Sequence, residues 1–345
     1  MSKRLFYTLW TMLVLVFGSW HTLHAQDIHF SQFTYAPLNL NPALTGIFDG
    51  DMRFMGNYRN QWKNVPVDYL NFSGAYDMNF YNKNLERSLF AGGLVFNYDR
   101  AGDSHLSTTN LGLSGSYTHQ LGEKHFATVG GQLGVHQRAF DLTNLRFDDQ
   151  FNNESYDPQR PTQEMIINTS TAFMDLSAGL NWHFRTSKRT YFDIGGAAYH
   201  LNTPNKSFGN SLVEEELPVR YTLYGMGTFQ LVDELDLFVN AAAQWQNPHH
   251  ETTLGAGINI HLNTRPDHEL FVSVGGGIRL NDMESDAIIP FFGLQYRMWH
   301  FGLSYDINVS EFNVATDRRG GPEFSVNYII TKVKPLKSKI CPIYL

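Results

Sequence analysis

Cysteine is almost missing from this chain. A single one, Cys341, stands among 345 residues, which excludes a disulfide framework and any cysteine-rich metal cluster. Positive charge is also scarce. Lys and Arg number 26 against 33 Asp and Glu, for a formal net charge of -7, so there is no basic face for nucleic acid. Past Ala25 no long uncharged apolar run follows, and mean hydropathy is -0.29, which excludes a bundle of membrane helices. No sustained helical period follows Ala25 either. A membrane barrel escapes all of these exclusions, because only every second residue of its strands needs to be apolar.

Several features are abundant. Aromatic residues make up 14% of the chain and glycines number 29, which suits long twisted strands with aromatic rings at lipid interfaces. At the N-terminus, Lys3 and Arg4 precede the uncharged run LFYTLWTMLVLVFG, and SWHTLHAQ then offers a cut after Ala25. That layout reads as a secretory signal peptide over residues 1–25 with Gln26 as the mature start. No cysteine follows the cut, which argues against a lipoprotein.

The rest of the chain alternates. In WHFGLSYDINV, residues Trp299, Phe301, Leu303, Tyr305, Ile307 and Val309 point one way, while His300, Gly302, Ser304, Asp306 and Asn308 point the other. The same rhythm returns in segments such as Phe90 to Tyr98, Met174 to Phe184, Leu254 to Leu262 and Phe324 to Ile330. With a first strand near Met52–Asn60 the count is about fourteen, an even number as in bacterial barrels. The apolar registers hold no Asp, Glu, Lys or Arg, and the opposite registers hold Asp175, Arg220, Asp236, Arg279, Asp306 and Glu323. A soluble sandwich also sorts its faces, but its strands run to about 5–6 residues. These segments are closer to about 10–12, the length of a tilted membrane strand.

The breaks between segments give a second test, since outer-membrane barrels have short periplasmic turns and longer external loops. If the first strand runs outward, the external connections include the stretch from Phe140 to Ser170, NTPNKSFGNSLVEEELP, LNDMESD and VSEFNVATDRRGG. The periplasmic ones include LGEK, RTSKR, VDEL and the passage through Arg297 and Met298, while NFYNKNLERS is the one among them that is not short. The fold class expected is therefore all-β, a transmembrane outer-membrane antiparallel β-barrel. Trp182, Trp245 and Trp299 are expected near the lipid interfaces. The organisation expected is a signal peptide at 1–25, an N-terminal segment at 26–48, the barrel at 49–331 and a basic tail at 332–345. The segment holds Phe30, Phe33, Tyr35, Leu38, Leu40 and Leu44, too apolar for a solvated tail, so it is expected to dock either in the lumen or on a periplasmic partner.

Chemical motifs are sparse. GGGIRL lies within an alternating strand with no helix behind it, so it reads as close packing rather than a phosphate cradle. Asp282, Glu284 and Asp286 lack the glycine and terminal glutamate of a calcium loop. Asp148, Asp149, Glu154 and Asp157 read as an acidic loop, and His249 with His250 as a plain connection. Neither G-x-S-x-G nor H-E-x-x-H occurs. No catalytic, cofactor-binding or metal-ligating residue is assigned, and no enzyme is expected. The tail carries Lys332, Lys334, Lys337 and Lys339 and reads as a solvated extension.

The opening QDIHFSQFTYAPLNLNPALTG, followed by YRNQW, resembles the start of the PorP/SprF family of type IX secretion system membrane proteins. The end, LSYDINVSEFNVATDRRGGPEFSVNYII, is similar to that family's closing hairpin. Asn41, Pro42 and Ala43 match an early N-P-A, and Tyr58, Arg59 and Trp62 match a Y-R-x-x-W. The basic tail departs from family members that end near the last aromatic, although Tyr328 can still serve as that aromatic. The resemblance implies an outer-membrane barrel of Bacteroidota that supports export or surface attachment of secreted proteins, and gliding adhesins in some members. It implies membrane lipid, other secretion-system proteins in the periplasm or outer membrane, and exported surface proteins as partners, without a cofactor. Asn41, Pro42, Tyr58, Arg59 and Trp62 are the candidate partner contacts. The alternative is a channel or uptake barrel for small solutes or lipids; a barrel lipase or protease lacks its residues.

Overall fold

The computed structural model describes residues 27–61, 69–80, 87–102, 104–142, 145–152, 155–157, 159–160, 162, 168–208, 214–265, 268–282, 284–310 and 319–331. The expected signal peptide at 1–25, Trp62 and the basic tail lie outside the described residues.

Strand formation follows the alternation. The first strands are β1 (Met52–Gln61), β2 (Tyr69–Phe80), β3 (Ser88–Ala101), β4 (Leu106–Gln120) and β5 (His125–Ala139). A small hairpin, β6 (Phe151–Asn152) and β7 (Ser155–Tyr156), sits in the long connection that follows. The wall continues with β8 (Ser170–Arg185), β9 (Tyr191–Tyr199), β10 (Arg220–Gln230), β11 (Leu235–Gln246) and β12 (His249–Asn263). It ends with β13 (Leu270–Asn281), β14 (Glu284–Tyr296), β15 (Trp299–Asn308) and β16 (Arg319–Ile330). All strands but β6 and β7 form one closed antiparallel barrel of fourteen, each paired with its chain neighbour and β1 closing on β16. Closure gives every strand of the barrel sheet a neighbour on both sides, the arrangement a strand needs in hydrocarbon.

The side chains sort as the sequence pattern requires. Leu180 and Leu113 on the outer face are 65% and 62% exposed, while Asp77 and Glu323 on the inner face are 0% exposed. The expected outward aromatics lie near the barrel ends. Trp299 stacks on Phe301 and meets Tyr328 at 4.4 Å near the short-turn end, where Trp182 also stacks on His125. Trp245 sits opposite Tyr221 toward the other end.

The longest connections fall at one end. The turns after β11 and β13 at that end are tight, however, and the connection between Phe80 and Ser88 at the other end is not short. LNDMESD is not a long loop, because β13 runs to Asn281 and pairs there with Glu284, so the strands turn in two residues. Glu284 and Asp286 sit on β14, which continues past the apolar belt, and Asp282 forms the turn. A loop-like composition thus covers paired strand ends with one bulge. Likewise Arg319, Gly320 and Gly321 belong to β16 rather than to the preceding loop. The asymmetry is carried by residues 140–169, 200–219 and 309–318.

The outward register yields a direct test. Leu254→Arg or Ile258→Arg should sharply reduce assembly into membrane, since a charge near mid-bilayer costs about 2–4 kcal/mol. Asn259→Asp should be mild, because Asn259 faces inward and its side-chain oxygen already accepts from Ser273 at 2.7 Å. Folded yield, read from the boiled-against-unboiled gel shift, separates the three variants; equal yields would show the register to be wrong.

Candidate functional site

Residues 27–50 occupy the barrel interior. The segment starts at the long-loop end, where the Asp27 amide donates to Gln246 at 3.0 Å, and descends to the short-turn end, where the Asp51 amide donates to the carbonyl of Ile330. It forms only single helical turns, at Phe33–Tyr35, Pro37–Leu40 and Pro42–Leu44. Such a chain cannot satisfy its own backbone, so the wall must do so.

The apolar side chains of the segment pack on two inward patches of the wall. Phe33, Leu40 and Leu44 join Tyr224 and Ala242, and Leu38 joins Met55 and Val95. The Asn41 side chain is fully buried among strands. Its amide group donates to the carbonyl of Leu180 at 2.9 Å and to the Tyr224 hydroxyl at 3.1 Å. Its oxygen accepts from the Ala43 amide at 2.8 Å, an N-cap on the turn that Pro42 opens. The wall is glycine at this point for a steric reason. A Cβ on Gly130 would stand 2.5 Å from the backbone of Ala43, and one on Gly179 would overlap the Asn41 oxygen at 1.9 Å. The early N-P-A thus presses directly against the wall at these glycines.

Charge pairing binds the segment at two further levels. Near the short-turn end, Asp77 accepts from the Gly46 amide at 2.8 Å and from Arg53 at 2.7 Å. Gly46 has φ of +78°, a left-handed conformation that suits glycine. Higher up, Glu323 accepts the amides of Ser31 at 2.8 Å and Gln32 at 2.7 Å, one on each carboxylate oxygen. Asp306 accepts from Arg59 at 2.6 Å, from Arg279 at 2.8 Å and from the Ser31 hydroxyl at 2.8 Å. Arg59, Asp306 and Glu323 are all at most 1% exposed. Each charge in this group meets either an opposite charge or a segment amide, the condition for burying it at all.

A third group lies at the long-loop end. His200, just beyond β9, is 2% exposed and meets Asp175 on β8 at 2.8 Å through Nδ1 and Asp27 through Nε2. His136 on β5 approaches the same Asp175 at 3.6 Å, and Arg220 stands 3.5 Å from Asp27. Burial by itself would raise the Asp27 carboxyl, but His200 and Arg220 outweigh it and hold it well below the usual carboxylate range. Burial likewise would lower the His200 ring, yet Asp27 and Asp175 push it up to about 9.

The sequence-derived candidates therefore part company. Asn41, Pro42 and Arg59 are buried in the lumen and take their contacts from the chain itself. Tyr58 faces outward, in an apolar groove of about 470 Å³ that also holds Phe72, Phe292, Phe301, Leu303 and Phe324. Trp62 is outside the described residues. The group of His136, Asp175 and His200 was not singled out as a site from the sequence, because its members come from separate strands and share no spacing. The only signal is that each falls on or beside an inward register.

Comparison with known proteins places this geometry. A family model described as type IX secretion system membrane protein PorP/SprF matches residues 22–328. No curated protein matches the chain. Among solved structures it is similar to the CymD monoaromatic hydrocarbon channel, at 9% identity and TM-score 0.50, covering 90% of this chain and 95% of that one. A Pseudomonas aeruginosa FadL homologue aligns at 10% identity and TM-score 0.49, covering 84% and 92%. The Pseudomonas putida toluene transporter TodX aligns at 9% identity and TM-score 0.44, covering 85% and 91%. At these identities the likeness concerns the barrel fold alone.

The buried pairing makes a quantitative expectation. Arg59→Met leaves Glu323 and part of Asp306 uncompensated and should destabilise the folded barrel by about 3–5 kcal/mol. Adding Glu323→Gln to that variant should recover part of the loss, because one orphaned charge is gone. Urea unfolding followed by tryptophan fluorescence measures both. Unchanged midpoints for the single variant would contradict the pairing.

Proposed function

The chain belongs to the PorP/SprF family of type IX secretion system membrane proteins, and from that membership we propose that it is a non-enzymatic barrel with a filled lumen. In this reading it supports the export or surface attachment of particular secreted proteins, including adhesins of the gliding type. The observation that carries the proposal is the course of residues 27–50. They run the height of the lumen and bond to β2, β4, β8, β10, β15 and β16 on different sides of the wall. A segment anchored all round leaves little room for a wide solute path. What remains available for partners is the outer wall and the long connections at 140–169 and 200–219. The surface around Tyr58 is apolar where lipid or a membrane partner would lie. Export by a cleaved signal peptide over residues 1–25 and association with periplasmic or outer-membrane secretion proteins belong to the same proposal.

Two measurements test it. Purified full-length protein in planar bilayers should show no large, steady conductance. Deletion of the gene in its host should remove one or a few surface proteins while general secretion continues and no hydrolytic activity is lost. A normal surface proteome together with failure to take up a nutrient would replace this reading by the uptake channel.

A further inference from the structure

We propose that His136, Asp175 and His200 form a binding site for a divalent first-row transition metal ion, with zinc as its simplest occupant. Such an ion would fasten the upper end of the N-terminal segment to the wall. All three residues are buried, and one ligand atom from each lies within 4.8 Å of the others. Two imidazole nitrogens and a carboxylate are a donor set that zinc and its neighbours accept. With bonds of about 2.0–2.2 Å, two ligand atoms on a tetrahedral ion stand about 3.3 Å apart. His200 Nδ1 and Asp175 Oδ1 are 2.8 Å apart, and His136 Nε2 and Asp175 Oδ2 are 3.6 Å apart. These two distances use different Asp175 oxygens, and with ligand atoms up to 4.8 Å apart the side chains must close by roughly 1.5 Å at the widest edge to meet on one ion.

Two further features of the cluster fit a bound ion. Asn110 is only 9% exposed and lies against the His136 ring, yet its side-chain oxygen has no hydrogen-bond partner. An amide rotated by half a turn would turn that oxygen toward the His136 side of the cluster, where it can accept from a water on the ion. The other observation concerns His200. Its Nδ1 faces Asp175 while its Nε2 is held by Asp27. A metal-ligating histidine almost always gives its second ring N–H to a carboxylate or carbonyl, which fixes the tautomer and the ring orientation. Here that carboxylate comes from the N-terminal segment. The ion would sit on wall residues alone, while its outer support would come from the segment, so metal binding and docking of residue 27 would strengthen each other. Asp175 supplies one negative charge directly, and Asp27, whose charge is shared with Arg220 at 3.5 Å, supplies part of a second.

The test uses untagged full-length protein in detergent and a zinc titration against a chromophoric chelator. One equivalent should bind with saturation. His136→Ala and Asp175→Asn should each abolish that binding. Asp27→Asn, which touches only the outer support, should weaken it about 10–100-fold. His261→Ala should leave it unchanged, since His261 pairs with Asp236 at 2.6 Å near the opposite end. All variants are first shown to give the heat-dependent gel shift of a closed barrel. X-ray absorption on the zinc-loaded natural protein, which needs no variant, should report two imidazoles and oxygen donors. Absence of saturable binding at one equivalent would overturn the proposal, as would a zinc environment without imidazole or His136→Ala binding like the natural protein.

Discussion

A carboxylate or guanidinium on a barrel strand has two places to go, hydrocarbon or lumen. The hydrocarbon costs a Lys or Arg about 2–4 kcal/mol at the midplane. The inner registers of this chain therefore collect Arg53, Arg59, Asp77, Asp175, Arg220, Asp236, Arg279, Asp306 and Glu323. A lumen of this width cannot leave so many charges without partners once water is displaced. The N-terminal segment answers that need. Its amides at Ser31, Gln32 and Gly46 satisfy Glu323 and Asp77, and its carbonyls at His29 and Leu44 accept from Arg59 and Arg53. The dependence runs both ways, because a segment made of single turns has no ladder of its own and draws its backbone partners from the wall.

This mutual satisfaction also explains the distribution of small residues. Gly130 and Gly179 face inward at the level where Asn41, Pro42 and Ala43 press on β5 and β8. On the outer face glycine has no such partner and mixes with Leu, Val and aromatics along the same registers. The N-P-A and the glycine wall are one contact divided between distant parts of the chain. Its two halves are conformationally matched: Pro42 fixes the start of a turn, Asn41 caps it, and the missing side chains opposite admit it.

The wall was largely legible in the sequence, and the lumen was not. Alternation is a local property, so the outward set from Phe90 to Tyr98 or from Trp299 to Tyr305 follows from a few consecutive residues. Interior pairing is not local. Ser31 meets Glu323 across 292 positions and Asn41 meets Leu180 across 139, and no periodicity carries that information. The hairpin at Asn281 and Glu284 looks like a loop in the sequence for a related reason, since strand residues beyond the apolar belt have the composition of a loop. Arg59 stood out by resemblance, yet what it touches could be known only from the fold. Tyr58 beside it is on the other face, as adjacent residues of a strand must be.

The account rests on the N-terminal segment being held inside a closed barrel, and amide hydrogen exchange of the full-length protein in detergent tests that most directly. The amides of Ser31, Gln32, Ala36, Asn41, Ala43, Thr45 and Gly46 all donate to partners within the lumen. Peptides covering residues 30–46 should therefore exchange as slowly as those from the barrel strands, over hours rather than seconds. Complete exchange of that segment within seconds, while the strands stay protected, would contradict the account.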